Sequence, residues 1–184
     1  PAAKGGPTYT RKRYLWMEMP NPLIHSRVKG EGGAIEDAFR SPAKGALQSL
    51  VADHIVQGRI IFPGAGYLEM ARAAFCAVTD RKDVKLQRAY FLQPLMLDNV
   101  DDLNVTISID TNADRFELSS MGEDAQKVTH SAGDTGATNG ALGAPAAAAA
   151  LGSSYAAVDV GVFYEAFRSV GLEYGPEFRA LQAL

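Results

Sequence analysis

The chain has a single cysteine, Cys76, so no disulfide can form within it. A lone thiol inside a candidate helix argues against a stapled secreted domain and for a reducing compartment, so a cytoplasmic location is expected. Histidine is nearly as scarce, with three in 184 residues. His25 and His130 have no cysteine or carboxylate at ligand spacing, so no metal site is expected. No apolar run is long enough to span a bilayer, and the opening PAAKGGPTYTRKRYLW lacks the apolar core of a signal peptide. Neither sign of charge dominates. With 18 basic and 21 acidic residues the net charge is -3, which gives nucleic acid or an anionic membrane no electrostatic reason to bind. There is no GxSxG nucleophile motif. The glycines of GEGG at Gly30 to Gly33 lack the third glycine and the following helix of a dinucleotide loop.

What is present is an ordinary globular composition, 47% hydrophobic and 21% charged, enough for one sizeable core. The chain is organised around Asp53 to Val78, DHIVQGRIIFPGAGYLEMARAAFCAV. Ile55 to Phe62 is rich in β-branched and aromatic types and predicts a strand, with Gly58 marking a bulge or a close approach. Pro63 suits the first turn of a helix, and Gly64 and Gly66 leave its entrance bare. Main-chain N–H groups at such an entrance lack partners and carry a partial positive field, so a developing negative oxygen is stabilised there. His54 stands one strand away. Leu68, Ala71, Phe75 and Val78 give the helix a buried stripe, and Ala73, Ala74, Cys76 and Ala77 keep it thin enough for a sheet to wrap closely.

Leu86 to Leu97, Leu103 to Ile109, Phe116 to Met121 and Gln126 to Ser131 alternate or run apolar, with Val105, Ile107 and Ile109 on one face. Together with a hairpin around GEGG they predict an α+β class, an antiparallel sheet against one helix. Residues 1–20 read as a linker arm, 21–133 as the main unit and 134–154, rich in glycine and alanine, as a flexible linker. From 155 to 184 come a helix ended by Gly171 and the start of a further element.

The spacing His54, Gly58, Pro63, written HxxxGxxxxP and followed by GAGYLEMA, resembles the dehydratase domains of polyketide synthases and animal-type fatty acid synthases. PTYTRKRYLW resembles the join from a preceding acyltransferase, NPLIHSRV the family's first strand, VTHSAG the strand closing its first half, and FYEAFRSVGLEYGPEFRAL the helix and YGPxF motif opening its second. One departure stands out: Asn21 and His25 occupy positions where the family usually has His and Gly. The resemblance implies a double hotdog, two units each made of a long helix wrapped by a curved antiparallel sheet. This chain then holds the first hotdog and the doorstep of the second. The family's catalytic Asp, in a DxxxH or DxxxQ pattern, has no counterpart here.

The implied reaction removes water from a 3-hydroxyacyl thioester on the phosphopantetheine of an acyl carrier protein and leaves the trans-2-enoyl thioester; no intrinsic cofactor is implied. His54 is then the general base. The N–H of Gly58 and those of the helix begun by Pro63 and Gly64 receive the enolate oxygen. Tyr67 either donates to a substrate oxygen or packs with its hydroxyl at the rim, and packing is the favoured role. Tyr174 either donates to substrate or fills the core, and Gly175, Pro176 and Phe178 shape the tunnel. Asp53 points to the opposite strand face and is a poor orienting partner for His54. The missing acid comes either from a second hotdog, or from Glu69 in a homodimer, where Glu69 is otherwise a solvated or salt-bridged helix residue. The expected partners are the carrier protein, the second hotdog and the other synthase domains. Two further readings remain: a non-catalytic hotdog that serves as scaffold or acyl holder, and a product-template-type cyclisation domain.

Overall fold

The computed structural model describes residues 21–29, 36–98, 101–122, 126–136 and 159–181. The expected arm at 1–20 and most of the expected linker, 137–154, lie outside them. The strands are β1 (Ser26–Lys29), β2 (Glu36–Pro42), β3 (Ile55–Val56), β4 (Arg59–Ile60), β5 (Lys85–Phe91), β6 (Asn104–Asp110), β7 (Arg115–Met121) and β8 (Lys127–Gly136). The helices are α1 (Gln48–Val51), α2 (Gly64–Thr79) and α3 (Val160–Ser169).

Period-two patterning fixes the main sheet. Val105, Ile107 and Ile109 of β6 are fully buried while the residues between them are only half-buried. Phe39 of β2 pairs with Ile107, and Ile107 with Leu118 of β7, so one apolar row crosses three strands. Six strands lie in the order β1-β2-β6-β7-β8-β5, with every pairing antiparallel. Helix α2 packs across this sheet and buries Tyr67, Met70, Ala71, Ala73, Ala74 and Phe75. That is the α+β arrangement the residue pattern predicts and the hotdog unit the resemblance implies. The buried stripe is rotated from the expected one: Leu68 and Val78 are half-buried, and Tyr67 and Met70 take the inner positions. Small side chains at Ala71 and Ala74 allow helix and sheet to close.

Three expectations change. The single strand expected over 55–62 is a tight hairpin, β3 and β4, turning at Gln57 and Gly58 with φ of 51° and 73°. Two successive positive φ values make a type I′ turn, so Gly58 is a turn residue and not a bulge. A Cβ there would meet nothing within 4 Å, so the backbone and not the space asks for glycine. Second, β8 continues to Gly136, beyond the boundary expected at 133, because Asp134 to Gly136 pair with β5 and Thr135 is buried. Third, Ala43 to Val51 forms an irregular helical turn and α1, which the pattern did not reveal.

Asp159 caps α3 by accepting the Val162 N–H at 3.1 Å, and Gly171 ends the segment with φ of 85°. No residue of α3 is buried. No helix among the described residues is long and apolar enough to cross a membrane.

Candidate active site

His54 is held where α1 gives way to the hairpin. Its N–H donates to the Val51 carbonyl at 2.9 Å, and its own carbonyl accepts the Ile61 N–H at 3.2 Å. The ring closes a second contact across the same hairpin, Nδ1 to the Ile61 carbonyl oxygen at 2.6 Å. A carbonyl only accepts, so Nδ1 carries the proton and Nε2 keeps its lone pair. The half-buried ring has no hydrogen-bond partner for Nε2 among the described residues. A neutral imidazole in this tautomer can take a proton at Nε2.

Three residues after Ile61, α2 begins. Pro63 is its N-cap, with extended backbone. The Gly66 N–H turns back to the Pro63 carbonyl at 2.8 Å. The N–H groups of Gly64 and Ala65 have no acceptor among the described residues, and both residues are exposed. Beside this entrance is a cavity of about 350 Å³ lined by Phe62, Gly64, Tyr67, Phe91, Leu92, Gln93 and Pro94. Its lining does not include His54.

The cavity wall is pinned by three groups. Tyr67, which is 3% exposed, accepts the Leu95 N–H at 3.0 Å on its hydroxyl, and burial pushes its phenol upward from the ordinary range. In this position Tyr67 packs, and its hydroxyl is taken up by the main chain of the wall. The Phe62 N–H donates to the Leu95 carbonyl at 2.8 Å. Buried His130 donates from Nδ1 to the Gln93 carbonyl at 3.2 Å and accepts from the Ser120 hydroxyl on Nε2 at 2.7 Å. Burial pushes the His130 imidazole downward from its ordinary value, opposed by the carbonyls of Gln93 and Pro94. The sequence signal for this wall was the run FLQPL, apolar residues broken by Gln93 and Pro94.

The segment after α3 docks on β3. The Gln57 N–H donates to the Gly171 carbonyl at 2.6 Å, Glu173 N–H to Ile55 at 2.8 Å, and Gly175 N–H to Asp53 at 2.8 Å. Bonds at every second residue lay 171–175 along the hairpin, with Val56 and Leu172 as an isolated antiparallel bridge. The Tyr174 ring stacks on His54 with centroids 5.2 Å apart and planes at 24°, and the Phe178 ring lies at 5.1 Å, tilted by 53°. Of the expected residues, Tyr174 and Phe178 thus meet His54, while Gly175 bonds the neighbouring Asp53. Pro176 opens the short turn Pro176–Phe178 and is exposed.

Two expected roles meet a different geometry. The Gly58 N–H, expected to receive a substrate oxygen, donates to the Glu173 carboxylate at 3.1 Å at an exposed hairpin tip. Glu69 pairs with Arg72 at 2.7 Å and accepts the Asn21 amide at 2.7 Å. The Arg72 guanidinium and then the Asn21 amide hold the Glu69 carboxyl below its usual range, against partial desolvation. A carboxylate so held is a poor proton donor. Among the described residues no group of three or more His, Cys, Asp or Glu is placed to hold a metal ion.

A family model described as the polyketide synthase dehydratase domain matches residues 21–121, more than half of the chain. Among curated proteins, polyketide synthase PksN of Bacillus subtilis is 27% identical over 175 residues, which is 89% of this chain and 3% of that protein. The highly reducing polyketide synthase tstA of Talaromyces stipitatus is 26% identical over 93% of this chain and 8% of its own length. The chain therefore spans a small fraction of these relatives. Among solved structures, the dehydratase domain from the terminal module of the rifamycin polyketide synthase superposes with a TM-score of 0.72 at 27% identity, covering 88% of this chain and 59% of that one. The dehydratase domain from the CurF module of curacin polyketide synthase, 24% identical, shares the fold with a TM-score of 0.73 over 89% of this chain and 61% of its own.

Proposed function

We propose, on the premise that this chain belongs to the polyketide synthase dehydratase domain family, that it supplies the base-bearing half of a dehydratase acting on 3-hydroxyacyl chains. The substrate is a thioester on the phosphopantetheine of an acyl carrier protein, and the product is the trans-2-enoyl thioester. The observation that carries this reading is the 2.6 Å bond from His54 Nδ1 to the Ile61 carbonyl, which leaves Nε2 as the basic atom. Nε2 takes the α-proton. The enolate oxygen rests on the free N–H groups of Gly64 and Ala65, where the helix dipole adds to the attraction. The C3–O bond breaks as an acid protonates the hydroxyl, and water leaves. The reaction moves protons and is redox-neutral, so it asks for no intrinsic cofactor. The cavity by Phe62, Phe91, Leu92 and Pro94 suits the acyl chain.

The acid lies outside the described residues, because Glu69 is held ionised by Arg72. A carboxyl on a second hotdog, begun here by the segment from 155 to 184, fits this gap better than Glu69 from a paired copy. The carrier protein and the neighbouring synthase domains are then the partners. A second reading, a non-catalytic acyl holder, is favoured by the cavity lining that omits His54.

Incubating the chain, in the protein that carries it, with a 3-hydroxyacyl carrier-protein thioester separates the two by mass. Loss of water assigns the enzyme, and His54→Ala is expected to lower its rate by about 10²- to 10⁴-fold. A His54→Ala rate equal to that of the parent would remove the base from this scheme.

A further inference from the structure

Asp53 lies in the turn that follows α1, one residue before His54, and its carboxylate makes no bond to the ring, whose Nδ1 is taken by the Ile61 carbonyl. It reaches the ring by another route. The Asp53 carbonyl accepts the Gly175 N–H at 2.8 Å, and its side-chain Oδ2 accepts the Glu177 N–H at 3.0 Å. Gly175 is fitted to that carboxylate, since a Cβ there would stand 2.5 and 2.6 Å from its two oxygens, closer than such atoms come. The residues flanking this anchored main chain, Tyr174 and Phe178, are the two whose rings meet the His54 imidazole.

We propose that Asp53 is a positioning residue for His54: by pinning the main chain of Gly175 and Glu177 it sets the Tyr174 and Phe178 rings against the imidazole. With Nδ1 fixed by the Ile61 carbonyl, those two rings determine which way Nε2 faces. The sequential neighbour of the histidine thus acts on it through a segment more than a hundred residues away in sequence. The inference deepens the reading of His54 as the base and, for its catalytic consequence, rests on it. The anchor itself is read without reference to catalysis.

The test uses the full chain with isotope-labelled histidine, whose three residues give a sparse ring spectrum. Aromatic rings against an imidazole displace its proton signals. Asp53→Ala and Gly175→Ala are each expected to move the His54 ring signals while those of buried His130 stay in place, which also shows that the fold is intact. Asp53→Asn is expected to keep the parent His54 signals, because the amide oxygen accepts the same Glu177 N–H. In the double variant Gly175→Ala with Asp53→Ala, the shift should not exceed that of Asp53→Ala alone, since the crowding partner is gone. In the dehydrating protein, Asp53→Ala is expected to lower kcat roughly 10- to 100-fold with little change in KM, as for a misplaced reacting group.

The proposal is overturned if His54 signals ignore both single variants, or if Asp53→Asn displaces them as much as Asp53→Ala. The latter would mean that charge and not the hydrogen bond matters. If the spectra behave as expected while His54→Ala still dehydrates normally, the anchor stands and the assignment of the base falls.

Discussion

The described part of this chain holds two regions built on different physics. Around α2, side chains do the holding: Phe39, Met70, Leu95, Ile107 and Leu118 are essentially without solvent contact, and the sheet satisfies the main chain. From 159 to 181 no side chain is buried, and Val162 and Val170 are 66% and 68% exposed. That second region stays in place through main-chain bonds to residues 53–57, the Asp53 carboxylate, rings laid on His54, and the half-buried Phe178 alone packed against the core. His54 sits on the seam. The comparison teaches that a reactive side chain can be braced from one side by a stiff core and from the other by a docked segment that detaches at lower cost.

The sharpest way to break that contrast is at the core. Ile107 is fully buried at the centre of the row running from Phe39 to Leu118. Ile107→Ala is expected to cost about 2–5 kcal/mol of unfolding free energy, read from a denaturant midpoint at unchanged slope. A cost similar to that of an exposed site would mean that the wrapped unit is not the stable one.

The wrapped helix was legible in the sequence because its cues agree with one another. Pro63 and Gly64 mark an entrance, alanines recur where a sheet must close, and Val105, Ile107 and Ile109 alternate. The family resemblance rested on this stretch together with motifs before and after it, and the family match covers residues 21–121. His54 was legible as a candidate from its spacing to Gly58 and Pro63. Its tautomer was not, because the partner is a main-chain carbonyl at Ile61, and carbonyls carry no sequence signature. Gly58 misled for a related reason: a glycine that a positive φ requires and one that a close approach requires are spelled alike. The role of Asp53 was hidden because strand alternation describes contacts across a face, whereas Asp53 works on backbone brought from residues 175 and 177. Pairing between segments so far apart leaves no periodic trace.

A second, smaller effect distinguishes the regions by pH. His130 belongs to the wrapped unit and is buried with both nitrogens occupied, and burial lowers its proton affinity below the ordinary value of 6.5. A histidine with a depressed folded-state value binds fewer protons folded than unfolded. The stability it permits is fully present above the unfolded value and is lost as pH falls through it toward the folded value. The slope of that loss is at most about 1.4 kcal/mol per pH unit. Denaturant unfolding at stepwise lower pH should show it, and His130→Gln should flatten it. An unchanged slope in His130→Gln would assign the acid sensitivity elsewhere.

The smallest effect is expected on α3, and it tests the other side of the contrast. Val162 presents its side chain to solvent, and its N–H is already satisfied by the Asp159 cap. Val162→Ser removes little buried apolar area, so its cost should stay within about 0.5 kcal/mol. The same denaturant titration that reads Ile107→Ala reads this variant. A loss of 2 kcal/mol or more, roughly that of a buried aliphatic side chain, would show that this face of α3 is covered in solution. The docked segment would then be held by side-chain burial as well, and the seam at His54 would be as stiff on its second side as on its first.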